Sequence, residues 1–386
     1  MQIRHRRVYF IRSAAVFTAI VLSVYCISST IIPALYNNPS YLYDDFLELE
    51  KVTRTNGWLR KQSKSSSRIA IVMVVLADTK MELYASAALS VLCYSKVQNY
   101  EFRILNASHF KSVCSQKDGF FQRHCIVASI LPLFDYILYL DADIGVVNPK
   151  RRVEEYLDIK ADIVFYDRFY NWEISAGSYL VKNTKWSQDF LYGFANYVNR
   201  LPNSFHGTDN GALHAYVAET VLPNNNSDLN ICMEVYKNSK NYWDLFLYEA
   251  CIRNILQDNS HLGKIRILHK GTAWARDNWI TNNFWSEERD FMIHGWKENQ
   301  LQTYKKKPVL SISKFRSNWY NPLAGPIHLS LCTKRNVSWR YDENLITTKE
   351  EIDNLLHNFS QEVERAKAAV LQSLPTLSPK IGKQRS

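Results

Sequence analysis

Apolar runs and helical patterns alternate from residue 68 onward. RIAIVMVVLAD (68–78) is a β-branched run without a polar interruption until its end, which predicts a strand buried on both faces. TKMELYASAALSVLCYS follows with helical periodicity, and YEFRILNAS (100–108) predicts a second strand. GFFQRHCIVASILPLF predicts a helix ending near Pro132, and YILYLDAD (136–143) a third strand. A short helix over 151–158 and a strand in ADIVFYDR (161–168) come next. WEISAGSYLVKNT (172–184) reads as a strand with a small-residue step at Ser175-Ala176-Gly177. Helical stretches follow at 185–200, 208–221 and 229–257, then late strands in IRILHKG (265–271) and FMIHGW (291–296). The alternation predicts an α/β domain with a mixed, mostly parallel sheet, in which ligands bind off the carboxyl ends of the strands.

The flanks read differently. MQIRHRRVYFIR is basic, and residues 14–32 carry no charge. That run is close to the ~20 residues needed to cross a bilayer, and longer than the ~7–15 apolar residues of a cleaved signal peptide. The positive-inside rule then leaves the N-terminus cytosolic and the rest of the chain lumenal. The expected organisation is a cytosolic arm (1–13), a signal-anchor transmembrane helix (14–35) and a stem (36–67) ending in polar RKQSKSSSR. A lumenal domain (68–345) and a C-terminal helix with a basic tail (346–386) complete it. Four sequons, at Asn106, Asn225, Asn336 and Asn358, fit a lumenal body. Outside the apolar run there are six cysteines: Cys93, Cys114, Cys125, Cys232, Cys251 and Cys332. An even number permits three disulfides, with the pairing open, and the alternative is buried thiols.

The charge of +10 is spread over the arm, Lys305 to Lys307 and the tail, with no long basic stripe of the kind nucleic acid requires. A small anionic substrate remains compatible. Aromatic residues, 13% of the chain, suit sugar or base stacking and fill cores equally well.

Candidate chemistry centres on Asp141-Ala142-Asp143. Alternate strand residues face the same way, so the two carboxylates are expected to converge at the end of the third strand. Hard divalent cations such as Mn²⁺ or Mg²⁺ are held by one or two carboxylates and shared with substrate phosphates. A capping Asp beside an exposed one is the plain structural alternative. In FHGTDNGALHAYVAE (205–219), Thr208 or Asp209 suits a helix cap. RDNWITNNFWSEERDF (276–291) sets Trp residues beside Arg276 and Asp277, as an acceptor wall or as packing.

The order of these motifs resembles glycosyltransferases of the GT-A fold. Tyr-Leu-Asp-Ala-Asp after an intervening helical region, ISAGSYLVKNT and the late HGWK segment (294–297) carry the resemblance over about residues 68–300. The groups it is most similar to are the yeast and plant α-galactosyl/mannosyl/xylosyltransferase family and a nematode-expanded family of type II membrane proteins. The resemblance implies that Asp141, Asp143 and His294 bind Mn²⁺ (or Mg²⁺), and that Asp141 also meets the ribose of a UDP- or GDP-sugar. Lys297 would face the diphosphate, with Trp296 directly after the glycine departing from the usual form. Val74, Leu76, Ala77 and Asp78 would border the nucleotide, and Asp167, Ser175, Ala176 and Gly177 the sugar. Asp209 and Asn210 would be the catalytic pair, touching sugar or acceptor. The implied activity is transfer of a hexose or pentose to a glycan or glycoprotein by a Golgi or ER enzyme, with retention. Inversion would need a base, for which Asp209 and Asp277 are candidates. A haloacid-dehalogenase-like phosphatase is the enzymatic alternative, although Gly145 stands where that motif has Thr or Val. A lectin-like lumenal protein is the non-catalytic one.

Overall fold

The computed structural model describes residues 68–257, 260–312, 319–334 and 336–374. The expected arm, signal anchor and stem, and residues 375–386 of the tail, lie outside them. Among the described residues no helix is long and apolar enough to cross a membrane.

The chain starts with β1 (Ile69–Val75), helix α1 (Ala85–Gln98), β2 (Glu101–Asn106), α2 (Gly119–Ile130) and β3 (Tyr136–Leu140). Alternation along β1 sends Ile69, Ile71 and Met73 into one core and Ala70 and Val72 into the other. Both faces are covered, which is why the run is apolar throughout. Then come β4 (Ile144–Val146), β5 (Ile163–Tyr166) and β6 (Ser178–Lys182). Helices α3 (Lys185–Asn196), α4 (Thr208–Val221), α5 (Ser227–Asn238) and α6 (Tyr242–Ile255) follow. The remaining elements are β7 (His261–Leu262), β8 (Ile265–Leu268), β9 (Ala275–Asp277), β10 (Met292–His294) and α7 (Lys349–Leu371).

Seven strands form one sheet in the order β2-β1-β3-β6-β5-β8-β7. It is not mostly parallel. β1 pairs in parallel with β2 and β3, and β5 with β8, but β6 runs antiparallel to both β3 and β5, and β7 to β8. The link from β5 to β6 contains no helix, so the chain returns alongside rather than crossing over, and the strand reverses. FMIHGW does not join this sheet. Its strand β10 lies between β4 and β9 in a separate three-stranded sheet.

The stretch 229–257, read as one helix, is two. Asn-Ser-Lys-Asn interrupts it, and the Asn241 side chain accepts the Trp243 and Asp244 amides to start α6. The Cys232–Cys251 disulfide ties α5 to α6. Cys114–Cys125 closes the loop before α2, and Cys93–Cys332 anchors the distal chain to α1.

One core group stands apart. Glu249 on α6 is fully buried, and neither carboxylate oxygen has a partner among the described residues. Burial, then Glu173, pushes its pKa well above the ordinary 4.5. The folded protein therefore keeps a proton that the unfolded chain releases. Stability falls as pH rises above about 4.5, by about 1.4 kcal/mol per unit until the folded group ionises. Glu249→Gln abolishes that slope. Its midpoint in urea is expected to gain on the wild type progressively from pH 5 to 8, and a constant offset would show that Glu249 is ionised in the fold.

Candidate metal centre and cavity

The site lies where β3 ends. Leu140 is buried, and the chain then turns through Asp141 to Asp143, with the Ile144 amide donating to the Asp141 carbonyl at 3.0 Å. The two aspartates therefore converge through a turn between two sheets, not through strand alternation. Gly145 in β4 permits this: a Cβ there would come within 2.3 Å of the Trp296 ring.

The small sheet supplies the third member. β10 pairs His294 with Ile144 on one side and with Asp277 on the other. The Gly295 and Trp296 amides donate to the Asp143 carbonyl at 3.1 and 2.9 Å, pinning the HGWK segment to the turn. Asp141, Asp143 and His294 each offer a ligand atom within 4.8 Å of the others. The donor set, two carboxylates and one imidazole, fits a hard or borderline divalent ion such as Mn²⁺ or Mg²⁺.

Electrostatics support the fit. Burial opposes ionisation of Asp143, but His294 at 3.3 Å and Lys297 at 3.3 Å hold it well below the usual carboxylate range. Burial likewise opposes charge on His294, yet Asp143 and Asp277 push it up to about 10. His294 Nδ1 lies 3.2 Å from Asp277. The carboxylates around His294 favour a cation there, and a bound ion would take the place of the His294 proton. Asp141 shifts upward through burial, against the pull of Arg123.

A second layer fixes these groups. Arg123 on α2 donates to Asp141 at 2.5 Å and to Asp209 at 2.5 Å. His124 Nε2 lies 3.0 Å from the same Asp209 oxygen. Burial raises Asp209, but Arg123 and His124 bring it to about 2. Arg168 donates to Asp277 at 2.6 Å and to Glu173 at 3.0 Å. Gly177 accepts the Asp141 amide at 2.8 Å, and a Cβ on Gly177 would fall 2.3 Å from Asp141 Oδ2.

Asp141, Asp143, His294, Asp277, Arg123 and Arg168 face a cavity of about 810 Å³. Of the residues expected from sequence, Val74, Leu76, Asp141, Asp143, His294, Lys297 and Asp277 line it. The others sit elsewhere. Ala77 and Asp78 are exposed in the turn after β1. Asp167 pairs with Arg253 at 3.1 Å. Ser175, Ala176 and Gly177 are one layer back, with the Ala176 amide donating to Asn210 Oδ1 at 2.9 Å. Asp209 is 1% exposed. Neither Thr208 nor Asp209 caps α4, whose N-cap is Gly207 without a side-chain cap bond. Arg276 is held by both oxygens of Asp290. Of the Trp-dense segment, Trp279 lines the cavity, whereas Trp285 is core.

Arg123, Arg168, Phe120 and Trp319 also line the cavity and were not anticipated. Arg123 carried a signal, being a cation inside the apolar run GFFQRHCIVASI. Its partners are 18 and 86 residues away, which no local pattern discloses.

Fold and site together define an α/β domain with a candidate divalent-metal centre in a cation-rich cavity at the strand ends. Residues 91–311 match the family described as "Protein of unknown function, DUF273", and the chain belongs to that family. No curated protein matches the sequence. Among solved structures, a glycosyltransferase involved in glycosylating the major capsid of PBCV-1 is 14% identical. It has a TM-score of 0.36, with 58% of this chain and 92% of that one covered. Mouse xyloside xylosyltransferase 1 is 11% identical with a TM-score of 0.31, covering 59% and 97%. The glycosyltransferase GlyE of Streptococcus pneumoniae TIGR4 is 17% identical with a TM-score of 0.28, covering 39% and 43%. Likenesses of this size carry no functional weight, and the chemistry of the site must do so.

Proposed function

We propose that the chain is a divalent-metal-dependent glycosyltransferase, moving a hexose or pentose from a UDP- or GDP-sugar to a glycan or glycoprotein. One observation carries this reading: Asp141, Asp143 and His294 converge within 4.8 Å, in a cavity whose lining also holds Arg123, Arg168 and Lys297. A bound Mn²⁺ or Mg²⁺ would act as a Lewis acid on the charge that builds on a leaving diphosphate. Asp141, Asp143 and His294 would hold that ion, Arg123 and Gly177 keep Asp141 in place, and Lys297 stands ready for phosphate oxygens.

The acids favour retention. An inverting reaction needs a carboxylate base whose pKa lies near working pH. Among the described lining residues the carboxylates are Asp141, Asp143 and Asp277. Burial opposes the charge on Asp277, but Arg168 and His294 hold it far below the usual range. Asp209 is sealed behind Arg123. With Asp141 and Asp143 given to the ion and Asp277 held between Arg168 and His294, no lining carboxylate among the described residues is left to act as a base, and the departing diphosphate would take the acceptor proton.

The reading is tested by incubating the full-length chain with UDP- and GDP-sugars and Mn²⁺ and following sugar transfer by NMR. Metal-dependent transfer with the donor's anomeric configuration kept is the expected result. Acceptor-independent phosphate release from simple phosphomonoesters would favour the phosphatase instead.

A single-pass type II position in the Golgi or ER membrane belongs to the same proposal. It is supported by the uncharged run at 14–32 and by three disulfides, which persist in oxidising compartments. The sequon residues Asn225, Asn336 and Asn358 are exposed, whereas Asn106 Oδ1 accepts from Ser108. The chain expressed in its secretory pathway is expected to drop in apparent mass on N-glycosidase treatment. Unchanged mobility would count against a lumenal domain.

A further inference from the structure

The cavity has an apolar lip that the metal chemistry does not use. Phe120 is 50% exposed and Leu76 is 42% exposed, and both line the cavity. Leu76 lies against the residue that precedes Phe120: a Cβ on Gly119 would meet Leu76 Cδ2 at 2.2 Å. Leaving a Phe half in water forgoes a substantial part of the ~1.5–3 kcal/mol that burying it would bring. Trp279 and Trp319, also in the lining, are only 7% and 8% exposed.

The lip is built into the first turn of α2. Asp118 caps that turn through the Phe120 amide at 2.8 Å. One turn on, the Arg123 guanidinium lies 5.3 Å from the centre of the Phe120 ring while bonding Asp141 at 2.5 Å. One guanidinium therefore separates the exposed ring from a carboxylate of the metal centre.

We propose that Phe120, flanked by Leu76, is the platform for the acceptor, a neutral pyranose stacked through its C–H face with hydroxyls turned toward Arg123 and Asp141. This rests on the transferase reading above. A nucleobase is the competing occupant, since the resemblance sets Leu76 beside the nucleotide, but a ribose separates a base from the diphosphate that the metal centre would hold. An acceptor hydroxyl must instead reach the carbon bonded to that diphosphate, beside the metal centre.

The test uses the full-length chain with Mn²⁺ and whichever of UDP or GDP it binds. Methyl glycosides of glucose, galactose, mannose and xylose serve as probes by saturation-transfer NMR. Saturation of one glycoside is expected in the wild type, weakened about tenfold in affinity by Phe120→Ala and kept by Phe120→Trp. Nucleotide binding by calorimetry should be unchanged in Phe120→Ala. Equal saturation in wild type and Phe120→Ala would overturn the proposal, as would no saturation by any glycoside. Loss of nucleotide binding in Phe120→Ala would also overturn it, by assigning the ring to the base. If the wild type binds neither nucleotide, the transferase reading itself fails, which is a distinguishable outcome.

Discussion

Asp143→Asn is expected to lower metal-dependent transfer by more than about 100-fold. Loss of an outer-shell partner of a metal ligand alone commonly costs 10–100-fold, and Asp143 is placed as a ligand itself. The substitution keeps the shape and removes the charge that holds His294 and Lys297 at 3.3 Å each. Two cations would then face an amide in a buried setting. His294 keeps Asp277 as a partner, so the fold is expected to survive with a loss of about 1–3 kcal/mol. Thermal unfolding and transfer assays on the same sample separate the two effects. A variant as active as wild type would remove Asp143 from the site.

Gly177→Ala is expected to impair transfer as well, more mildly, while adding only a methyl group. The new Cβ would sit 2.3 Å from Asp141 Oδ2. Asp141 cannot simply swing aside, because Arg123 and the Tyr139 hydroxyl hold its other oxygen at 2.5 and 3.1 Å. Either Asp141 leaves its ligand position or β6 moves away from β3. The first outcome spares the fold, and the second costs about 1–3 kcal/mol as overpacking does. Both lower transfer, and a drop of at least about tenfold is the expected reading, since displacing a reacting geometry by 1 Å can cost 100-fold. Wild-type activity with unchanged Mn²⁺ affinity would show that Asp141 does not need its present position. Gly295→Ala tests the opposite wall less cleanly: its Cβ would clash with Trp319, and its φ of +98° is strained for any side chain.

The parts of the fold that the sequence discloses are those with a local cause. β1 and β3 are apolar runs buried on both faces, so their positions could be read directly. Helix α4 and the end of α2 near Pro132 follow from periodicity and proline. The direction of β6 could not be read, because Ser178–Lys182 looks the same run either way and only the helix-free link from β5 decides it. The two aspartates illustrate a subtler limit. Their convergence was expected from strand alternation, yet it comes from a turn that carries the chain from one sheet to another. Ile144 continues the apolar pattern and hides that exit, and only Gly145, packed against Trp296, hinted at it. His294 was legible because HGWK is compact. The support of Asp141 by Arg123, and of Asp277 by Arg168, was not, because the partners lie 18 and 109 residues apart and no local pattern joins them. Asp209 and Asn210 were expected to face a substrate, but in this structure the first partners Arg123 and His124, and the second holds the Ala176 amide.

Asp141, Asp143 and His294 are proposed to hold a metal that in turn holds a nucleoside diphosphate. The most direct test is calorimetric titration of the full-length chain with UDP and with GDP, each with Mn²⁺ and with the metal removed by chelation. Binding of one nucleotide that requires Mn²⁺ is the expected result. Binding of neither by a folded sample, or binding indifferent to the metal, would contradict it.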